Sequence, residues 1–286
     1  MKIPKVLIVT PARDEATNIV RLAECLRNQS VHLSAMWIVV DDGSIDNTRK
    51  VVEQLPMPFE VIVIARELSG TLITGSAFAA WLNGVNFGLV RFPDAEYIMK
   101  LDADVLLTDT YFEVIFKELA KNKVGIIGGA LFGSQTEQKI YVPGPVKMYS
   151  KDALDLVRQL PVATGFDVMD EVLCHSKGVK VQIVKGAKFR MGREIGHSQG
   201  LLHGRYRNGL VCRWVGYAPE YFLLHLIRYF FRAPYFFGSV WMFLGYCRAG
   251  HGPYPQDLKK THRLMQRSRL ATLVRHPYES IKDLYF

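Results

Sequence analysis

The chain has 286 residues and a formal net charge of +9, with 49% hydrophobic and 22% charged side chains. That balance excludes disordered, collagen-like and low-complexity classes and leaves volume for one large core or two small ones. The charge is uneven: residues 1–185 carry 20 Lys and Arg against 22 Asp and Glu, while residues 186–286 carry 16 against 5. A basic last third suits an anionic partner, whether nucleic acid, a phosphorylated substrate or an acidic membrane surface. Cys25, Cys174, Cys212 and Cys247 lack the paired spacing of zinc or thiol-redox motifs and predict a reducing compartment. The N-terminus runs straight into a strand-like segment without a cleavable apolar leader, which predicts a cytoplasmic protein.

Short apolar runs at 6–10, 36–40, 59–64, 97–101 and 124–127 read as strands. Amphipathic stretches alternate with them. Residues 18–27 place Ile19, Leu22, Ala23 and Leu26 on one helical face, and 47–54 form a helix with Asp46 available as its cap. Residues 75–87 form another helix, and 110–121 turn Phe112, Ile115, Phe116 and Leu119 inward at i, i+3, i+4, i+7. The fold class is therefore α/β, a mostly parallel sheet flanked by helices. From about residue 196 the alternation stops and aromatics crowd together with Arg, so we expect two units, a catalytic domain over 1–195 and a helical region over 196–286. The longest uncharged run there, 233–247, is interrupted by Pro234 and Gly238. A spanning helix needs about 20 apolar residues, so we expect two short helices lying in a membrane interface, with Arg228, Arg232 and Arg248 at headgroup level, the alternative being a helical subdomain packed on the sheet.

Polar clusters follow three of these strands: Pro11-Ala12-Arg13-Asp14-Glu15, Asp41-Asp42-Gly43-Ser44 and Asp102-Ala103-Asp104. In an open α/β sheet, ligands bind beyond the carboxyl ends of the strands. One such cluster is explained by turn chemistry alone, but three at one edge define a crevice. Asp102 and Asp104, one residue apart at a strand end, are placed to share a divalent ion, Mn²⁺ or Mg²⁺, with a substrate phosphate. Asp41 and Asp42 suit hydrogen bonds from a nucleobase or ribose.

The segments VLIVTPARDEATNI, IVVDDGSIDNT and YIMKLDADVLL resemble successive parts of family 2 of the inverting, nucleotide-sugar-dependent glycosyltransferases, which have the GT-A fold; the likeness covers roughly residues 4–185. The family usually has Asn where Asp14 stands. The resemblance implies nucleotide binding by Pro11, Ala12, Asp14, Glu15, Asp41, Asp42 and Asp102, and a metal–diphosphate role for Asp102 and Asp104. It implies a UDP- or GDP-sugar donor, with the base not readable from residues 68–83, and a glycan or lipid-linked acceptor.

An inverting transfer needs a base for the acceptor hydroxyl, and Asp167, Asp170 and Glu171 would share one face of a helix there. The family's base is the Asp of a Glu-Asp pair eleven residues before a Gly. Counting back from Gly178 reaches Asp167, although Phe166 precedes it where Glu is usual, so Asp170 and Glu171 stay open. Residues 142–151 resemble the stretch lining the donor-sugar pocket, with Gly144 permitting close approach. Arg193, His197, His203, Arg205 and Arg207 form a basic cluster suited to a diphosphate leaving group.

The tail is similar to those of bacterial glycosyltransferases that build cell-surface polysaccharides, which implies a peripheral protein at the inner face of the membrane. Two other readings compete: a sugar-1-phosphate nucleotidyltransferase and a non-catalytic nucleotide-binding membrane module. The first would need a Gly-rich phosphate loop where PARDEA has no Gly; the second leaves residues 167–171 without a role. The tail aromatics sit in apolar company and are not spaced singly along a basic groove, so no nucleic-acid partner is expected.

Overall fold

The computed structural model describes residues 3–66, 75–132, 141–192 and 200–275. Eight strands form one sheet: β1 (Lys5–Ala12), β2 (Ser34–Asp41), β3 (Glu60–Ala65), β4 (Tyr97–Leu101), β5 (Val105–Leu107), β6 (Ile126–Leu131), β7 (Val146–Ser150) and β8 (Val181–Met191). Their order is β3-β2-β1-β4-β7-β6-β8-β5. The first four are parallel, as expected from apolar runs buried on both faces. Beyond β4 the sheet is mixed: β7 is antiparallel to both neighbours, β6 and β8 are parallel, and β5 is antiparallel to β8.

Alternation along β1 splits the core into two layers. Val6 and Ile8 face α1 (Ala16–Arg27) and α4 (Tyr111–Lys121) through Ile19, Leu22, Phe112 and Phe116. Leu7 and Val9 face α3 (Ser76–Arg91), α5 (Lys151–Val157) and α6 (Phe166–Ser176) through Trp81, Val85, Leu154 and Met169. The short helix α2 (Thr48–Glu53) lies against α1, and Asp46 Oδ1 accepts from the Thr48 N–H at 2.8 Å.

Four helices follow: α7 (Leu201–Trp214), α8 (Pro219–Phe230), α9 (Phe236–Arg248) and α10 (Gln256–Arg275). Among the described residues, no helix is long and apolar enough to cross a membrane. The expected boundary at 195/196 lies outside the described residues. These helices are built onto the sheet layer: Val215, Tyr254 and Leu258 belong to the same apolar core as α3 and α6. The Tyr254 hydroxyl reaches the carbonyls of Ala163 (3.2 Å) and Thr164 (3.1 Å).

His262 of α10 is buried at this junction. Its Nδ1 donates to the Val215 carbonyl (2.7 Å), an acceptor only, so Nε2 is left to accept from the Tyr141 hydroxyl (2.8 Å). Burial lowers its pKa to about 4. A folded-state value below the ordinary 6.5 means the unfolded chain protonates first, so stability is lost as pH falls from 6.5 toward 4. Between pH 7.5 and 5.0 this group contributes a loss of about 2 kcal/mol. Urea unfolding of the wild type and His262→Gln at both pH values isolates it. Equal pH slopes in the two proteins would refute the assignment.

Candidate active site

The register pairs Ala12 with Asp41 and Val9 with Lys100, which brings the carboxyl ends of β1, β2 and β4 side by side. Against this edge lies a cavity of about 960 Å³. Its walls come from the end of β4 (Lys100, Asp102), the start of α3 (Gly75–Phe78), Gly144 and Pro145 ahead of β7, residues 164–167 at the start of α6, and one face of α7.

Lys100 ties two walls together. It is 4% exposed, ion-pairs with Asp102 and donates to the Gly144 carbonyl at 3.1 Å. The Asp102 N–H in turn donates to the Pro145 carbonyl at 2.9 Å. Asp104 is half-buried, and its carboxyl is pushed above the ordinary value by burial and then by the charge of Asp102. Asp104 and its neighbour Asp102 form an oxygen-only donor pair suited to a hard divalent cation. Among the described residues no third His, Cys, Asp or Glu completes a metal cluster. The pair therefore fits a cation that takes its remaining ligands from substrate phosphate and water.

Asp167 lines the cavity, and Gly144 lies directly behind it: a Cβ on Gly144 would stand 2.5 Å from Asp167 Oδ2. Asp170 and Glu171, 0% and 3% exposed, lie outside the cavity wall. Lys147 Nζ sits 3.0 Å from both Asp170 oxygens and 2.7 Å from Glu171 Oε1, and also donates to the Asp167 carbonyl. The Tyr149 hydroxyl adds a bond to Asp170 at 2.7 Å. Burial raises the Glu171 carboxyl to about 8 and raises Asp170 as well, with Lys147 opposing both shifts. Burial also works against the Lys147 charge, but the neighbouring carboxylates more than reverse it and hold the ammonium above its ordinary range. The three acids thus divide: one opens on the cavity and two neutralise a buried lysine beneath it.

The nucleotide-binding candidates occupy the adjoining strand ends (Pro11, Ala12, Asp41) and the loops after them (Asp14, Glu15, Asp42), outside the cavity wall except for Asp102. Asp14 has φ 55°, in the left-handed region where Asn and Asp are the tolerated non-glycine residues. This explains physically why Asp stands where the resemblance expects Asn. Its Oδ1 accepts from the Ile45 N–H (2.8 Å), and its own N–H donates to Ser44 Oγ (3.0 Å). The Glu15 N–H donates to Thr48 Oγ1 (2.8 Å), and the Asp42 N–H to the Ala12 carbonyl (2.8 Å). Pro11 pairs in register with Val40. Asp41 Oδ1 accepts from the Ser44 N–H (2.9 Å), and Asp42 is paired with Arg66 (3.1 Å) and Ser76 Oγ. Ser76 also lines the cavity, so it links these loops to the site.

Of the basic cluster, His203 and Arg207 lie one turn apart on α7 and face the cavity. Arg205 points elsewhere, its guanidinium 3.9 Å over the Tyr229 ring and 2.9 Å from the Ala233 carbonyl. Arg193 and His197 lie outside the described residues. Sequence reasoning did not single out Lys100, Ser76, Arg66, Lys147 or the α7 aromatics Tyr206 and Trp214. Two signals were present, a Lys inside each of the otherwise apolar runs YIMKL and VKMYS.

The fold is shared with solved proteins. A mannosyltransferase from Pyrobaculum calidifontis, solved with GDP-Man and Mn²⁺, superposes over 100% of this chain and 85% of its own, with TM-score 0.56 and 18% identity. TarS (residues 1–349) of S. aureus with UDP-GlcNAc matches over 73% of this chain and 65% of its own, with TM-score 0.52 and 15% identity. Glucosyl-3-phosphoglycerate synthase from Mycobacterium tuberculosis, solved with Mn²⁺, UDP-Glc and phosphoglyceric acid, covers 73% and 79%, with TM-score 0.50 and 13% identity. An uncharacterized protein of Methanocaldococcus jannaschii is 24% identical over 197 residues, 67% of this chain and 78% of that one. The profile of glycosyl transferase family 2 matches residues 7–169, which takes in the loops after β1, β2 and β4 together with Asp167. The chain is a member of that family, a glycosyltransferase built on the GT-A fold.

Proposed function

We propose that the protein is an inverting glycosyltransferase that moves a sugar from a UDP- or GDP-sugar to a hydroxyl of a glycan or lipid-linked acceptor, with Mn²⁺ or Mg²⁺ as cofactor. The observation that carries this reading is that Asp167 and Asp102 line one cavity, of a volume that suits a nucleotide sugar. Asp102 and Asp104 hold the cation, which when bound neutralises charge on the departing nucleoside diphosphate. On the α7 wall, Arg207 adds positive charge and His203 a ring nitrogen, and both are placed to bind the phosphates. The strand ends bearing Pro11, Ala12 and Asp41 and the loops bearing Asp14, Glu15 and Asp42 take the nucleoside end, held in shape by their cross-links. Asp167 accepts the acceptor's proton as its oxygen attacks the anomeric carbon from the face opposite the leaving group, which inverts the configuration. Asp170 and Glu171, committed to Lys147, do not compete for that role.

Thermal melting with UDP, GDP, dTDP and their sugars, with and without Mn²⁺, tests the reading. One nucleotide at a hundredfold excess over its Kd is expected to raise Tm by roughly 4–5 °C with the metal present, and Asp104→Ala is expected to remove the metal-dependent part. No response to any nucleotide would overturn it.

The same proposal places the protein in the cytoplasm, at the inner face of the membrane. Its support is the α8–α9 tip, where Phe231, Tyr235 and Phe237 are 72%, 64% and 61% exposed beside Leu223, Ile227, Phe230 and Phe236. An apolar surface of this extent, with Arg228 and Arg232 among its aromatics, suits burial at the headgroup boundary. Deleting residues 220–286 would strip Tyr254, Leu258 and His262 from the core, so substitution is the cleaner test. Phe231→Ser/Phe237→Ser is expected to abolish flotation with phosphatidylglycerol vesicles at unchanged Tm; undiminished flotation would refute the docking.

A further inference from the structure

A second cavity, of about 490 Å³, lies within the C-terminal helices and shares no lining residue with the first. Lys260, Arg263 and Arg267 approach it from α10, at i, i+3 and i+7 on one helical face. Arg213 enters from α7, and Pro219 brings the first turn of α8 to its edge. Four cations therefore converge from two helices on one concavity. Among the described residues a single carboxylate answers them: Glu220 pairs with Arg267 at 2.5 Å, while Arg213, Lys260 and Arg263 have no acidic partner.

Two further observations point to a ligand. Among the described residues, the Nε of Arg263 is buried without a hydrogen-bond acceptor, a state that costs free energy unless the side chain shifts to meet one. Arg213 is already oriented, its guanidinium 5.2 Å over the Tyr246 ring and within 3.5 Å of the Tyr246 hydroxyl. The field is felt next door: after burial, Arg263 and Arg213 are the groups that lower the pKa of Lys259. Like charges gathered without acids repel one another, and the N-terminus of the twelve-residue α8 adds its own positive end. A compact polyanion resolves all of these at once.

We propose that this cavity binds a phosphate-bearing anion, held by Arg213, Lys260 and Arg263. The site is separate from sugar transfer and requires no chemistry of its own. The phosphate belongs either to a soluble molecule or to a lipid headgroup, and the recognition is the same for both.

Equilibrium dialysis of inorganic pyrophosphate against the full chain in EDTA tests the site without metal-dependent binding in the larger cavity. Saturable binding is expected, weakened at least about tenfold in Lys260→Gln/Arg263→Gln, since the loss of one charge-assisted bond is worth about that factor. Arg207→Gln, in the wall of the larger cavity, is expected to leave it unchanged, and melting curves confirm that both variants fold. No saturable binding by the wild type, wild-type binding by the double variant, or loss in Arg207→Gln alone would overturn the proposal. Flotation with phosphatidylglycerol vesicles then identifies the source. If the double variant loses pyrophosphate and vesicles together, the site takes a headgroup; if it loses only pyrophosphate, it takes a soluble phosphate.

Discussion

Replacing Asp167 with Asn is expected to lower kcat by about 10²–10⁴-fold, the usual contribution of a general base, while nucleotide binding and Tm stay at wild-type values. The amide keeps the size and the hydrogen-bonding reach of the carboxylate but cannot take a proton at neutral pH. Asp167 is the carboxylate of the α6 trio that lines the cavity, so neither neighbour can replace it without breaking its contact with Lys147. Gly144→Ala offers an independent approach to the same group. Its φ is not in the left-handed region, so the backbone accepts a side chain, yet the added carbon would meet Asp167 Oδ2 at 2.5 Å. Displacing a reacting group by a fraction of an ångström costs up to roughly a hundredfold in kcat. Full activity in both variants would remove Asp167 from the reaction.

The second large effect is on stability. Lys147→Met is expected to cost about 3–5 kcal/mol, because it leaves two buried carboxylates without their counter-charge. The pH dependence has a definite sign. With the ammonium gone, burial still raises both carboxyls above their unfolded values, so the folded state holds more protons than the unfolded one. Stability of the variant is then lost as pH rises from about 4.5 through 8. Adding Asp170→Asn and Glu171→Gln to the Lys147→Met variant removes the buried charge and should recover most of the loss, which urea unfolding at pH 5 and pH 8 will read. A Lys147→Met protein as stable as the wild type at pH 8 would mean the network contributes nothing. Because Lys147 also grips the Asp167 carbonyl, the triple variant should regain its fold before it regains full kcat.

Much of the catalytic half was legible because its signals are local. The runs of β1, β2 and β4 are predominantly apolar, with Lys100 as the exception in β4, and the acidic clusters that follow them lie at one sheet edge as the register requires. Helix α4 has the predicted inward face, Phe112, Ile115 and Phe116. Three strands were missed: β5, whose three residues VLL are too few to show a period, and β7 and β8, whose sequences contradict their surroundings. VKMYS carries a lysine into a fully buried site, and VQIVKGAKFRM interrupts its apolar residues with two Lys and a Gly. A buried Lys makes sense only once Asp170 and Glu171 are seen beside it, and that pairing spans 23 residues and two elements. The same limit applies to the three acids of α6. Their spacing puts them on one helix, but which of them meets solvent depends on what packs beneath, and sequence spacing carries no record of that. The cavity wall on α7 was only half visible, since His203 and Arg207 share a face that Arg205 does not.

The packing of α7 against α9 has a mechanical consequence. The two helices touch backbone to backbone at Gly209 and Gly245: a Cβ on the first would fall 1.9 Å from the Met242 carbonyl oxygen, and on the second 2.1 Å from that of Tyr206. Such a seam has no flexible side chains to absorb a shift, so the two helices are held at a fixed spacing. The first turn of α9, with the exposed aromatics Phe236 and Phe237, lies beside Arg205 of α7, next to the cavity-lining Tyr206 and Arg207. A displacement of the aromatic turn is therefore expected to reach Tyr206 and Arg207 across this seam. If the proposed membrane docking holds, seating the aromatics and shaping the α7 wall of the cavity would be coupled through these two glycines.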